Sequence, residues 1–370
     1  YYSDKAPGLA FMAVPIYAAI HVISAILSTF GLAQPETAYE VGGLFLCIAF
    51  TSCALSAASV PLFYDLAIKI CKQPRPAAAA TIAYALGTLI FVYAPTFMDH
   101  AASAALLFAS AYIVLTRGEG KWLAYVAGFL AAFSIVVRYD AAIVALPIAI
   151  IALARRRKTA QYFVLGAILG IAPLLAYNVA IFGHSFDVTA AHLDPKVWRY
   201  PEGVDTVGHW LMSAIPNPWV MVRLLIFPER GLFIYSPVLV LAPYGAMLMW
   251  KEGRRAEVLL AFCPLLALLW FYSRQLWWGG VSFGPRFLVS VIPFLSICVC
   301  YAIRELWDTR WKSAMVVLIA LSCAICLVGT VGSHDNLTNA IAHKLGTQPA
   351  EPGILWAPGY AELICSPHVI

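Results

Sequence analysis

Ser313 to Gly332 reads SAMVVLIALSCAICLVGTVG, a run without one charged side chain. A helix of about 20 residues is what crosses a hydrocarbon layer about 30 Å thick. Such a run has no polar face to offer water, so it is read as a membrane-crossing helix. Working back along the chain, comparable apolar stretches fall at 9–30, 41–64, 77–93, 101–116, 122–137, 141–154, 160–182, 231–250, 256–272 and 287–304. Several are shorter than a perpendicular crossing requires. Their neighbouring loops are therefore expected to dip below the membrane surface, where they line a protein cavity.

Composition agrees with this reading. The chain is 62% hydrophobic and 12% charged, about half the charge of an ordinary soluble domain, and its mean hydropathy is +0.81. The expected fold is an all-α, polytopic transmembrane bundle of about ten to eleven apolar helices, with outward-facing loops and short interfacial helices. The net charge of +5 is not gathered on a contiguous basic face, so no nucleic-acid partner is expected. The cysteines lie mostly within apolar stretches, and Cys323 and Cys326, although in C-x-x-C spacing, lack a second ligand pair and a polar surround for zinc. They are read as small packing residues. No basic segment precedes the first apolar run, so that run is not expected to be a signal peptide, and with Tyr1 in first place the chain is expected to lack its true N-terminus.

Lysine and arginine orient the bundle. Lys69, Lys72 and Arg75; Arg117 and Lys121; Arg155 to Lys158; Lys251, Arg254 and Arg255; and Arg304, Arg310 and Lys312 occupy alternate loops. These loops are expected to face the cytoplasm. Segments 31–40, 94–100, 138–140, 183–230, 273–286 and 333–370 then face outward. Under this scheme 9–30 is ambiguous: it spans if Tyr1 to Pro7 is cytoplasmic and is interfacial or re-entrant if that segment lies outside. No repeat or linker divides the chain, so one membrane domain over 1–370 is expected. Loop 183–230, with Trp198, Trp210 and Trp219 among five prolines, is expected to carry short helices at headgroup level.

Ionisable residues beside apolar helices are the candidates for chemistry, because placing one within a span costs about 2.5–3.5 kcal/mol. Asp4 and Lys5 precede the first stretch: either a helix cap and a snorkelling lysine, or a carboxylate beside a phosphate ligand. Asp99 and His100 open the fourth stretch, Asp99 as an N-cap or a working carboxylate and His100 as a metal ligand or a carboxylate partner. Arg138 and Asp140 join two helices across almost no loop; they either neutralise each other or present a guanidinium fork to phosphate. Trp277, Trp278, Gly279 and Gly280, followed by Gly284, Pro285 and Arg286, combine indoles suited to sugar stacking with exposed backbone amides and a cation.

At these residues the chain resembles the GT-C superfamily of membrane glycosyltransferases. The likeness is to the protein-mannosyltransferase and aminoarabinose-transferase branches and the related bacterial family 39-type domain used on lipopolysaccharide sugars. Asp4-Lys5-Ala6-Pro7-Gly8 stands where that family has an acidic-or-His, Lys/Pro, Pro motif. Asp99 matches an outward Asp opening a later helix, and Arg138 a basic residue in the next outward turn. The Trp277 to Arg286 run and Arg230-Gly231-Leu232-Phe233-Ile234-Tyr235-Ser236-Pro237 resemble segments of bacterial members. The resemblance implies inverting transfer of a sugar from a polyprenyl-phosphate donor to a glycan, lipid or protein hydroxyl, on the extracytoplasmic face of a bacterial inner membrane. It implies that membrane lipid surrounds the chain and that 9–30 does not span. Lys5, Arg138 and Arg286, with Trp277, Trp278, Gly279 and Gly280, would bind the donor. The family's base, an Asp in a first outward loop, would lie before Tyr1. Asp4, Asp99 and Asp140 are therefore the carboxylates left for catalytic work. Asp4, Asp99 and a histidine (His100, His184 or His192) form a candidate site for a divalent metal ion. A transporter or lipid flippase, or a non-catalytic assembly subunit, is the alternative reading of the same residues.

Overall fold

A computed structural model describes residues 5–31, 36–116, 120–155, 157–187, 216–228, 230–274 and 282–332 of the chain. Among them every regular element is a helix and no strand occurs. In chain order the helices are α1 (Gly8–Thr29), α2 (Glu36–Ile48), α3 (Ala54–Cys71), α4 (Pro74–Leu86), α5 (Leu89–Tyr93), α6 (Asp99–Thr116), α7 (Lys121–Val137), α8 (Ala142–Arg155) and α9 (Ala160–Phe182). They continue as α10 (Pro218–Ile226), α11 (Leu232–Tyr235), α12 (Ala242–Lys251), α13 (Arg255–Ser273), α14 (Ile292–Leu306) and α15 (Lys312–Val331). Seven helical segments among the described residues are long and apolar enough to cross a membrane: Gly8–Thr29, Gly42–Cys71, Asp99–Thr116, Arg157–Phe182, Arg255–Ser273, Arg286–Leu306 and Lys312–Val331. The protein is an integral, multi-pass helical membrane protein.

Two stretches that read as unbroken are interrupted. The run 77–93 breaks between α4 and α5 at Gly87 and Thr88, and 231–250 breaks at Ser236 and Pro237, where a 3-10 turn (Pro237–Leu241) leads into α12. Proline cannot donate to the helical ladder, and interrupting a helix in an apolar surround leaves N–H groups in need of acceptors. Serines from elsewhere in the chain supply them. The Leu89 N–H donates to Ser236 Oγ at 3.2 Å and the Val238 N–H to Ser322 Oγ at 2.7 Å. A hydropathy window averages over such breaks and cannot see the serine that permits them.

The chain's contacts form two compact units, residues 1–62 with 93–198 and residues 63–92 with 199–370. In the first unit the alanine-rich α6 is the most enclosed element, with Ala101, Ala102, Ala104, Ala105 and Ser103 all buried. Ser110 Oγ donates to the Ala127 carbonyl at 2.8 Å and ties α6 to α7. Helices α7 and α9 pack backbone against backbone at Gly128 and Gly166. A Cβ at Gly128 would lie 1.9 Å from the Phe163 carbonyl oxygen, and one at Gly166 equally close to that of Tyr125. Small residues let helices approach in this way where lipid gives no hydrophobic incentive to associate.

Helix α1 touches α6, α7 and α9 through its opening turns. Leu9 packs with Ala102, Leu106 and Val137, and Phe11 meets Tyr177 edge to face at 5.8 Å. Beyond them it lies antiparallel to α2, with Cys47 Sγ 3.9 Å from the Ala13 carbonyl and Gly43 beside the Tyr17 ring. Most of α1 is exposed and apolar, including Val14, Val22, Ile23 and Ile26, a surface for lipid rather than water. In the second unit α14 is the enclosed element, buried along Ile292–Ile303. Phe63 of α3 stacks on Tyr84 of α4 at 4.4 Å, and Arg304 pairs with Glu252 where α14 and α12 end. The short helix α10, capped by the Asn217 side chain accepting from the Trp219 N–H at 3.0 Å, is the described part of the loop expected to hold interfacial helices.

Replacing Gly166 by Leu drives a side chain into the α7–α9 contact, and overpacking of this kind costs about 1–3 kcal/mol or more. Thermal unfolding in detergent is expected to show a clearly lowered midpoint for Gly166→Leu. Leu165→Ala, which trims the 53% exposed neighbour, should leave the midpoint nearly unchanged.

Candidate functional site

Helix α7 ends at Val137 and α8 begins at Ala142, with only an extended Arg138 (φ −155°, ψ 118°) and a single 3-10 turn between them. So tight a connection holds Arg138 and Asp140 at the helix ends, and the start of α6 faces them. Arg138 is 7% exposed. Its Nε and Nη2 both address the Asp140 carboxylate, the latter at 2.7 Å to Oδ2. Its Nη1 donates to Asp99 Oδ1 at 3.1 Å and also contacts His100 Nδ1. Arg138 thus meets Asp140 through one hydrogen bond, Nη2 to Oδ2, and a close ion-pair contact of Nε with Oδ1. Of the two readings open for Arg138 in the sequence, pairing with a carboxylate is the one this geometry realises, and it extends to a second carboxylate 39 residues away.

His100 is buried, its ring edge-on to Tyr93 at a centroid distance of 5.3 Å. Its Nδ1 is 3.4 Å from Asp99 Oδ1, but the guanidinium contact is the closer one. A guanidinium has only donors, so the ring nitrogen it contacts serves as an acceptor. The two carboxylates differ. The Asp99 side chain is 19% exposed and takes one bond from Arg138, whereas that of Asp140 is 8% exposed and gripped by two nitrogens. Asp99 is thus the more exposed of the two carboxylates.

Lys5 is exposed and within electrostatic reach of Asp99. Its position follows from Gly8, where a Cβ would lie 2.5–2.6 Å from the backbone of Val136 and Val137. Only glycine lets α1 start against the end of α7, and Lys5 stands three residues before that contact. The segment leading into α1 therefore shares a side with turns 94–100 and 138–140. Between α1 and α2 opens an apolar groove of about 610 Å³, lined by Ala10, Ala13, Val14, Tyr17, His21, Leu44, Cys47 and Phe97. Phe97 stands two residues before Asp99.

Among the described residues no group of three His, Cys, Asp or Glu is placed to hold a metal ion. The guanidinium occupies the space between Asp99 and Asp140 where a divalent ion would have to sit, and His100 turns toward it. The donors described here do not fit a metal; Asp4 and His192, the other candidate ligands, lie outside the described residues, and His184 is exposed beyond the end of α9. Trp277, Trp278, Gly279 and Gly280 also lie outside them.

In the second unit Arg286 opens a 3-10 turn, with its guanidinium 5.1 Å from the Phe287 ring centroid. The preceding turn is held by Arg230, a residue that motif reasoning placed only within a longer segment. Arg230 is 2% exposed, and its Nη1 donates to Ser282 Oγ at 2.7 Å, to the Gly284 carbonyl at 3.0 Å and to the Ser282 carbonyl. Gly284 has φ 64°, with the ring of Tyr235 against it. The sequence signal for Arg230 was the cost of a charge opening an apolar run. Its partners, more than fifty residues on, were not legible.

Comparison with protein-family models, with curated proteins and with solved structures finds no match to this chain.

Removing Arg138 leaves two carboxylates facing each other in a buried setting, and breaking a buried pair in this way costs about 3–5 kcal/mol. Arg138→Met is expected to lower the yield of monodisperse protein and its unfolding midpoint. The triple variant Arg138→Met, Asp99→Asn, Asp140→Asn should recover much of the loss, as size-exclusion chromatography and thermal unfolding would report.

Proposed function

We propose that this chain is a membrane glycosyltransferase that moves a sugar from a polyprenyl-phosphate carrier to an acceptor hydroxyl, in the manner of the GT-C enzymes it resembles. The observation that carries the reading is a carboxylate, Asp99, 19% exposed and held by a buried arginine at the end of an apolar helix bundle, with a lysine nearby. In such a reaction the acceptor oxygen attacks the anomeric carbon as its proton passes to Asp99, and the sugar–phosphate bond breaks with inversion. The charge left on the lipid phosphate develops near Lys5. Arg138 and Asp140 are positioning residues that fix the Asp99 carboxylate. The donor's hydrocarbon chain is accommodated in the groove between α1 and α2, an apolar path that begins next to the charged residues. On this reading the site faces the extracytoplasmic side of a bacterial plasma membrane, which keeps the basic loops in the cytoplasm.

Membranes charged with radiolabelled polyprenyl-phosphate sugars test the proposal on the full-length protein. Loss of a general base typically costs about 10²–10⁴-fold, the fall expected for Asp99→Asn. Loss of a cation where charge develops costs about 10²–10³-fold, the fall expected for Lys5→Ala, with both variants still folded in detergent. Full transfer by Lys5→Ala would overturn the donor-phosphate role. No transfer by intact wild-type protein across a range of donors would favour a transporter or an assembly subunit.

A further inference from the structure

The described cysteines are scattered over the apolar helices, and two of them meet. Cys71, the last residue of α3, and Cys300, in α14, place their sulfurs 3.5 Å apart although 229 residues separate them, and Cys71 Sγ is also 4.0 Å from the Cys300 carbonyl oxygen. We infer that Cys71 and Cys300 are a redox-active dithiol, a modification site at which a small peroxide closes a disulfide between α3 and α14.

Three features of the second unit support this. Both side chains are enclosed, Cys71 at 5% and Cys300 at 0% exposure, so each has the other as its accessible thiol and cross-linking between molecules is disfavoured. Forming the bond requires the sulfurs to close by about 1.5 Å, to the 2.03–2.05 Å of a disulfide, a shift within reach of small side-chain rotations. Cys71 is the last residue of α3, and Cys300 lies six residues before the end of α14. Arg304 lies one turn beyond Cys300, pairs with the half-exposed Glu252, and is within electrostatic reach of both sulfurs. A neighbouring cation is one of the conditions that raise a cysteine's reactivity.

The other cysteines lack this combination. Cys326, in the C-x-x-C run, directs its sulfur to the Tyr235 carbonyl at 3.5 Å. Cys298, two residues from Cys300, projects from the opposite side of α14.

The chemistry balances with hydrogen peroxide, a small uncharged oxidant suited to an enclosed pair. One sulfur, expected to be the slightly more accessible Cys71, attacks the peroxide O–O bond to give a sulfenic acid and water. The second sulfur displaces the hydroxyl as a second water, forming the S–S bond. Two electrons leave the sulfurs and reduce the peroxide. The product pins the turn at Lys72, whose φ is 56°, to α14. This inference stands apart from the function proposed above.

The test uses the full chain in detergent, treated with hydrogen peroxide and then mapped by mass spectrometry after alkylation. A peptide pair joined through Cys71 and Cys300 is expected. The thiol count should fall from nine to seven, and dithiothreitol should restore it. Cys298→Ser and Cys326→Ser should behave like wild type. Cys300→Ser should stop at a sulfenic acid on Cys71 that dimedone traps. If Cys71 and Cys300 both remain alkylatable after treatment, or if the bond forms between other cysteines, the inference fails. The wild-type map decides this even if a variant does not fold.

Discussion

A guanidinium buried at the end of an apolar helix bundle has to be neutralised where it stands. Desolvating an ion costs several kcal/mol even after relaxation, and the cost is recovered only if the charge and its hydrogen bonds are satisfied together. Arg138 does this with Asp140 on one side and Asp99 on the other, and His100 takes up a remaining donor direction. The ends of α6, α7 and α8 are thereby drawn to one point. Around that point, the lysine before α1 and the groove between α1 and α2 acquire a place.

The rest of the first unit makes that convergence affordable by close packing. In lipid, helices gain little from hiding apolar surface, so association depends on how near their backbones come. Gly128 and Gly166 set the α7–α9 contact, Gly8 sets α1 against α7, and the alanines of α6 admit neighbours on several sides. In the second unit the same economy applies to interrupted helices. Each break exposes an N–H that lipid cannot satisfy, and Ser236 and Ser322 supply the acceptors. The many exposed large apolar side chains, such as Phe45, Ile168 and Val328, are the matching outer surface, turned to hydrocarbon.

The two carboxylates of the charged cluster show how environment separates chemically equal groups. Asp140 pairs with an arginine and is spent on holding it. Asp99 shares that arginine and is the more exposed of the two. The mechanism proposed above draws on this asymmetry. Arg230 illustrates the same division in the second unit, where a buried arginine holds backbone oxygens of the turn that leads to Arg286.

Some of this was legible in the residues alone. Charge-free runs of helix length, few ionisable groups and breaking prolines determine an all-α membrane protein, because solvation by lipid is a local demand that each segment answers by itself. The pairing of Arg138 with Asp140 was one of two readings the residues left open, the other being a fork offered to phosphate. The capture of Asp99 by the same arginine, the hold of Arg230 on the 282–284 turn and the meeting of Cys71 with Cys300 were not legible. The first and last depend on how one helix is set against another, and the second on how two connecting segments meet, and neither leaves a mark in hydropathy. Only the tertiary structure decides which polar side chains of different helices share one enclosed space.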